Sequence, residues 1–167
     1  MKSVLETQRF FLRELHENDA ESFYELNSNP NVLKFTGDQP FLNVEEARLF
    51  LQNYQEYQKF GFGRWAIISK DTLGFVGWCG LKFHPETKEV DVGFRLFEEF
   101  WNQGIATETA KACIDYGFNS LNLNEIIGRA MKDNLASIMV LKKCGLVFSK
   151  EIELDGKPAV QYVITKK

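Results

Sequence analysis

The sequence predicts an α+β domain, a central mixed but mostly antiparallel sheet flanked by helices. Three observations predict it. Residues 64–97 hold three apolar runs separated by turn signals, as an antiparallel meander does. From 105 to 119 the apolar period lengthens to that of a helix. Strand and helix patterns then alternate before a closing hairpin, so the elements surround one sheet rather than forming separate layers. A chain of 167 residues suits a single domain over 1–167.

In order, Gln8 to Glu14 reads as a first strand. Asp19 is placed to N-cap a helix with Phe23 and Leu26 inward, and Asn29-Pro30-Asn31 to end it. Asn43 caps a second helix, with Ala47, Phe50, Leu51 and Tyr54 at helical spacing and a stop by Gly61. The meander follows as Arg64 to Ser69, Leu73 to Phe83 and Glu89 to Phe97. In helix 105–119, Ala106, Ala110, Cys113, Ile114, Gly117 and Phe118 share one face. Glu125 to Met131 is a strand, and Asn134 caps a helix that Gly145 stops. Val147 to Leu154 and Ala159 to Thr165 pair around Asp155-Gly156.

Composition narrows the function. A net charge of −3 and 26% charged residues argue against a nucleic-acid partner, which calls for a basic stripe. No apolar run approaches the ~20 residues of a membrane span. Cys79, Cys113 and Cys144 are far apart and odd in number, as reduced thiols of a cytoplasmic protein are. Neither these nor the two histidines have metal-ligand spacing, so no metal site is expected.

The junction from strand 89–97 to helix 105–119 is the most informative place. Gly104 opens a helix and small Ala106 follows. First-turn N–H groups lack intrahelical partners, and the helix dipole is positive there, so such an end takes phosphate when no side chain blocks approach. The loop is neither a Walker A motif nor a dinucleotide fingerprint. Gly93, in mid-strand, marks a candidate bulge. A strand splayed there would offer its backbone to an extended amide chain.

Three pieces then occur in order: Val92-Gly93-Phe94-Arg95-Leu96, Trp101-Asn102-Gln103-Gly104-Ile105-Ala106-Thr107-Glu108, and Asn134-Leu135-Ala136-Ser137 with Gly145-Leu146. Together they resemble the GNAT (acyl-CoA N-acyltransferase) superfamily, and within it the branch of ribosomal-protein N-terminal alanine and serine acetyltransferases. The family loop pattern is Gln/Arg-x-x-Gly-x-Gly/Ala. Trp101 stands at its first position, and Gly104 and Ala106 match. The resemblance implies acetyl-CoA as cosubstrate. Leu96 and Phe97 would pair with pantetheine through their backbones. Gln103, Gly104, Ile105, Ala106 and Thr107 would wrap the pyrophosphate. Asn134 would lie near the thioester, and Lys143 is a candidate for the 3′-phosphate.

The resemblance also implies an amine acceptor, a protein N-terminus or a small molecule such as a polyamine, an aminoglycoside or a metabolite. A homodimer is compatible with it, and a non-catalytic acyl-CoA sensor is an alternative. Many members place a Tyr seven residues after the Asn, to protonate the leaving thiolate. Leu141 stands there, and Ser137 matches the Ser of the related branch. No Ser-His-Asp or Cys-His set is evident, so direct attack in a ternary complex is expected. An ammonium must first lose a proton. Asp91, on the same strand face as Gly93, is the candidate base, ahead of Glu89, Glu151 and Glu153. The acceptor groove is expected between Phe35 to Phe41 and Asp155 to Val160.

Overall fold

The computed structural model describes all 167 residues, Met1 to Lys167. Eight strands form one sheet: β1 (Leu5–Glu6), β2 (Phe10–Glu14), β3 (Arg64–Ser69), β4 (Phe75–His84), β5 (Glu89–Leu96), β6 (Glu125–Met131), β7 (Val147–Leu154) and β8 (Lys157–Thr165). Their order is β1-β2-β3-β4-β5-β6-β8-β7. Every neighbouring pair is antiparallel except β5 with β6. The helices are α1 (Ala20–Leu26), α2 (Pro30–Leu33), α3 (Val44–Gln52), α4 (Glu56–Phe60), α5 (Ile105–Asn119) and α6 (Leu135–Lys143).

The central elements form where the patterning puts them; the N-terminal third differs. Thr7 turns the chain by accepting from Phe10 N through its hydroxyl, so a short β1 precedes β2. Asp19 does not cap α1 with its side chain. Its carboxylate instead takes both Nη atoms of Arg13, at 2.9 and 2.8 Å, and the His16 N–H. Asn29-Pro30, read as a stop, is also a start. Asn29 Oδ1 accepts from Asn31 N, and Pro30 occupies the first turn, where its missing N–H costs nothing. The helix expected up to Gly61 breaks after Asn53 into α3 and α4, and α4 ends on Gly61 at φ +83°.

The sheet has two covered faces. On one, α5 packs Ala110, Cys113 and Ile114 into the main core with Trp65, Leu81, Val92 and Ile126. Leu141 of α6 lies against Gly128, where a Cβ would approach to 2.5 Å. On the other face, Ala20 and Phe23 of α1 meet Ala47 and Leu51 of α3 over Phe75 and Trp78. Side chains alternate along a strand. Val90, Val92 and Leu96 of β5 therefore enter the α5 core, while Glu89, Asp91 and Arg95 belong to the opposite face.

Candidate active site

Strand β5 has two unlike edges. Toward β4 its register runs without a break from Gly77↔Leu96 to His84↔Glu89. The Phe97 N–H donates to Val76 O at 3.1 Å, which fixes the alternation. Odd-numbered residues of β5 then turn their backbone groups toward β4, and even-numbered ones turn theirs toward β6. Toward β6 there is a single bridge, Asp91↔Ile127. Beyond Val92 the strands part, so the N–H groups of Phe94 and Leu96 and the Phe94 carbonyl point into a wedge. Gly93 is not a bulge, because it pairs regularly with Gly80. Its lack of a side chain lets the Arg64 guanidinium lie across it, 2.7 Å from where a Cβ would stand. Phe97 is also corrected as a backbone partner for a ligand, since its N–H is held inside the sheet.

The chain leaves β5 through a 3-10 turn, Glu98–Phe100, and reaches α5 through two left-handed residues, Asn102 (φ +62°) and Gly104 (φ +75°). Trp101 Nε1 donates to Leu96 O at 3.0 Å, which ties the loop back to the strand and occupies that carbonyl. No side chain caps α5. The first intrahelical bond runs from Glu108 N to Gly104 O, leaving the N–H groups of Ile105, Ala106 and Thr107 as free anion donors. A Cβ on Gly104 would meet nothing nearer than Arg9 Nη2 at 3.8 Å, so the glycine serves the backbone turn rather than relieving crowding. Gln103 folds away, its amide donating to Glu99 O. Arg9 braces the loop from behind: Nη2 donates to Gln103 O at 3.0 Å and Nε pairs with Glu108 at 2.7 Å.

The wedge and the loop open onto one groove of about 860 Å³. That is within the roughly 300–1,000 Å³ typical of small-molecule and cofactor sites. Leu96, Gly104, Ile105, Ala106, Thr107, Asn134, Ser137 and Lys143 line it. Asn134 Oδ1 caps α6 by accepting from Ser137 N at 3.2 Å. The Ser137 hydroxyl makes no bond to the protein and borders the groove. Leu141 is turned away into the core, so no aromatic hydroxyl is available from that position.

The chain as a whole matches known proteins. A family model described as an acetyltransferase (GNAT) domain covers residues 9–147. The chain belongs to the GNAT acetyltransferase family. It is an acetyl-CoA-dependent acyltransferase. A relative named as an uncharacterized N-acetyltransferase p20 from Bacillus licheniformis is 35% identical over 150 residues, 89% of this chain and 83% of that one. The spermidine N(1)-acetyltransferase of Escherichia coli is 27% identical, over 86% of this chain and 74% of its own. Among solved structures, a ribosomal L7/L12 alpha-N-protein acetyltransferase in complex with coenzyme A superposes with a TM-score of 0.83. It is 20% identical and 98% of each chain is covered, which shows the fold.

The acetyltransferase has a polar floor on the α1–α3 face of its sheet. Asp91 lies there, 8% exposed, with Oδ1 2.8 Å from Arg64 Nη2 at an angle outside hydrogen-bond geometry, and Oδ2 2.5 Å from His84 Nε2. Burial pushes its carboxyl up, but the Arg64 charge and the His84 hydrogen bond together hold it at about 2. A carboxylate so weakly basic is a poor proton acceptor, and Asp91 does not line the groove. Glu89 is tied to Arg129 Nη2 (3.1 Å) and Gln161 Nε2 (3.4 Å). Glu151 pairs with Lys132 on the surface. Arg95 does line the groove. It bonds Asn27 Oδ1 at 2.5 Å and Asp38 Oδ2 at 2.9 Å, and its guanidinium lies 5.3 Å from the Trp78 ring centroid.

Sequence reasoning missed Arg95, Arg9 and the α2 residues Asn31 and Val32 that border the groove. A period-two reading of β5 would have placed Arg95 beside Asp91. Nothing in the sequence links it to Asp38.

Proposed function

We propose that the chain moves an acetyl group from acetyl-CoA to a primary amine by direct attack in a ternary complex. The observation that carries this reading is the wedge beside β5. It joins unpaired backbone N–H groups to an uncapped helix N-terminus along one groove. An extended amide chain fits the open edge at Phe94 and Leu96, and a pyrophosphate fits the N–H groups of Ile105, Ala106 and Thr107. Lys143, exposed at the groove margin, supplies a cation for a further phosphate.

The Phe94 N–H is aimed into the wedge, where it can polarise a thioester carbonyl. The Ser137 hydroxyl, free and beside the groove, donates to the departing thiolate. Asp91 and Glu89 are held by cations, and Glu98, the carboxylate that lines the groove, is engaged by the amides of Asn29 and Asn31, so none is assigned as the base. The ammonium proton therefore leaves through water, and Asp91 fixes Arg64 across Gly93 as a positioning residue.

The test is calorimetric titration with coenzyme A, alongside thiol release from acetyl-CoA with peptides, polyamines, aminoglycosides and amino acids as acceptors. Micromolar binding with turnover of at least one amine is the expected result. Binding without turnover on any amine would identify a sensor. Absence of binding would remove the reading altogether.

A further inference from the structure

We propose that the acceptor is a small amine that carries its own carboxylate, which Arg95 receives in the place Asp38 holds in the structure. This rests on the acetyltransferase reading above and names the acceptor class for that same groove.

Arg95 follows Phe94, whose N–H points into the wedge, and its guanidinium is fixed from within. Asn27, 4% exposed and anchored by its own bond to Phe23 O, takes Nη1, and the Trp78 ring supports the plane. The outward side is different. Asp38 makes one contact there, and its side chain is 58% exposed against 15% for Arg95. It rides on a loop that begins at the left-handed Gly37. A single contact to a half-exposed carboxylate is weak and replaceable. Two of the five guanidinium donors are engaged, so a carboxylate arriving along the groove can be held by a bidentate fork.

The surrounding charge agrees. Lys34 and Thr36 line the same groove as Arg95. Its one lining carboxylate, Glu98, already accepts from Asn29 and Asn31. A polyamine would meet two cations, Lys34 and Arg95, against the single carboxylate Glu98, so most of its charge would lack a counter-ion there. In the reaction, the ammonium first passes one proton to water, the neutral amine nitrogen bonds the acetyl carbon, and the carbon–sulfur bond breaks with its electron pair on sulfur. The nitrogen's second proton also leaves to water, and the thiolate takes a proton from Ser137, which water reprotonates, or directly from solvent.

The test uses the full chain with acetyl-CoA and four acceptor sets: L-amino acids, their amides, the matching decarboxylated amines with spermidine, and peptides with neutral N-terminal residues. The acids should exceed their amides and decarboxylated forms in kcat/KM by roughly 10–100-fold, the range of a charge-assisted pair. Arg95→Gln should bring that ratio close to one, mainly through KM. Asp38→Asn, at an exposed position, should lower KM for the acids several-fold more than for the amides; it carries the test if Arg95→Gln fails to fold. Spermidine, an amide or a peptide matching the best acid would overturn the proposal. So would an unchanged ratio in Arg95→Gln, or no turnover of any carboxylate-bearing amine. Coenzyme binding measured in parallel separates these failures from failure of the acetyltransferase reading itself.

Discussion

The two edges of β5 differ in almost every physical respect. On the β4 edge the backbone is paired for eight residues. The side chain of Asp91 is paired on that side as well, with Arg64 of β3 and His84 of β4. On the β6 edge there is one bridge and then a gap. Buried backbone groups are nearly always bonded, so a strand with one open edge in the middle of a sheet is waiting for a partner. The first edge therefore holds the fold together, and the second is the one we propose takes the ligand. Substitutions on the two edges should separate stability from binding.

The largest effect belongs to the paired side. Asp91→Asn leaves the Arg64 charge buried without its counter-ion. The cost should be about 3 kcal/mol, the low end for breaking a buried pair because Arg64 is partly exposed. In a domain of this size that lowers Tm on the order of 10 °C. The coenzyme Kd of the folded fraction should stay within twofold. A scan of stability against pH gives the sign independently. The Asp91 carboxyl is depressed when folded, so its contribution is complete above the unfolded value and lost as pH falls through the folded one. Asp91 should thus contribute stability that fades between about pH 4 and pH 2 in the parent and is absent in the variant.

Next comes the open side. Gly104→Val forces a β-branched residue into a left-handed conformation and turns the first N–H groups of α5 off their common target. Coenzyme affinity should fall about 100-fold, near 2.7 kcal/mol, with Tm changed by only a few degrees. Equal losses of stability and affinity would mean that the loop is a structural element and that the contrast between the edges is false.

How much of this the sequence discloses follows the same division. The geometry of the loop was legible because it lies in local backbone chemistry: a glycine, a small residue, and a helix that starts there. Asn134 and Ser137 were legible for the same reason, being a cap and its first turn. Gly93 was read correctly as unusual but for the wrong cause. Its neighbour is the Arg64 guanidinium, 29 positions earlier in the chain, and no local pattern records that. The acceptor side was scarcely legible. Arg95, Asn27 and Asp38 meet across three separate elements, each an ordinary polar residue alone. Asp91 illustrates the limit. Strand periodicity gave its face, but the charge partners that make it a poor base come from β3 and β4.

A smaller effect tests the chemistry at the wedge. Ser137→Ala removes a hydroxyl with no protein partner, so stability should move by no more than about 0.5 kcal/mol. Proton donation to a leaving group is worth about 100-fold or more where it is used, and kcat should fall by that order with little change in coenzyme Kd. A kcat within twofold of the parent would assign the proton to solvent.

The smallest effect concerns the boundary between the two edges, the Leu96 carbonyl. It faces the wedge, yet Trp101 Nε1 occupies it at 3.0 Å. If that bond persists when coenzyme is bound, Trp101 is part of the loop's scaffold and the ligand pairs only with Phe94 and the Leu96 N–H. Trp101→Phe then frees the loop and should weaken coenzyme binding by about 1 kcal/mol, roughly fivefold, the usual net value of one neutral hydrogen bond. If the indole instead yields the carbonyl to a ligand amide, breaking its bond is a cost the parent bears on binding. Trp101→Phe would then bind as tightly or more tightly. The sign of this change, read by calorimetry on variants matched for Tm, decides whether the open edge of β5 ends at Leu96 N–H or includes the carbonyl beside it.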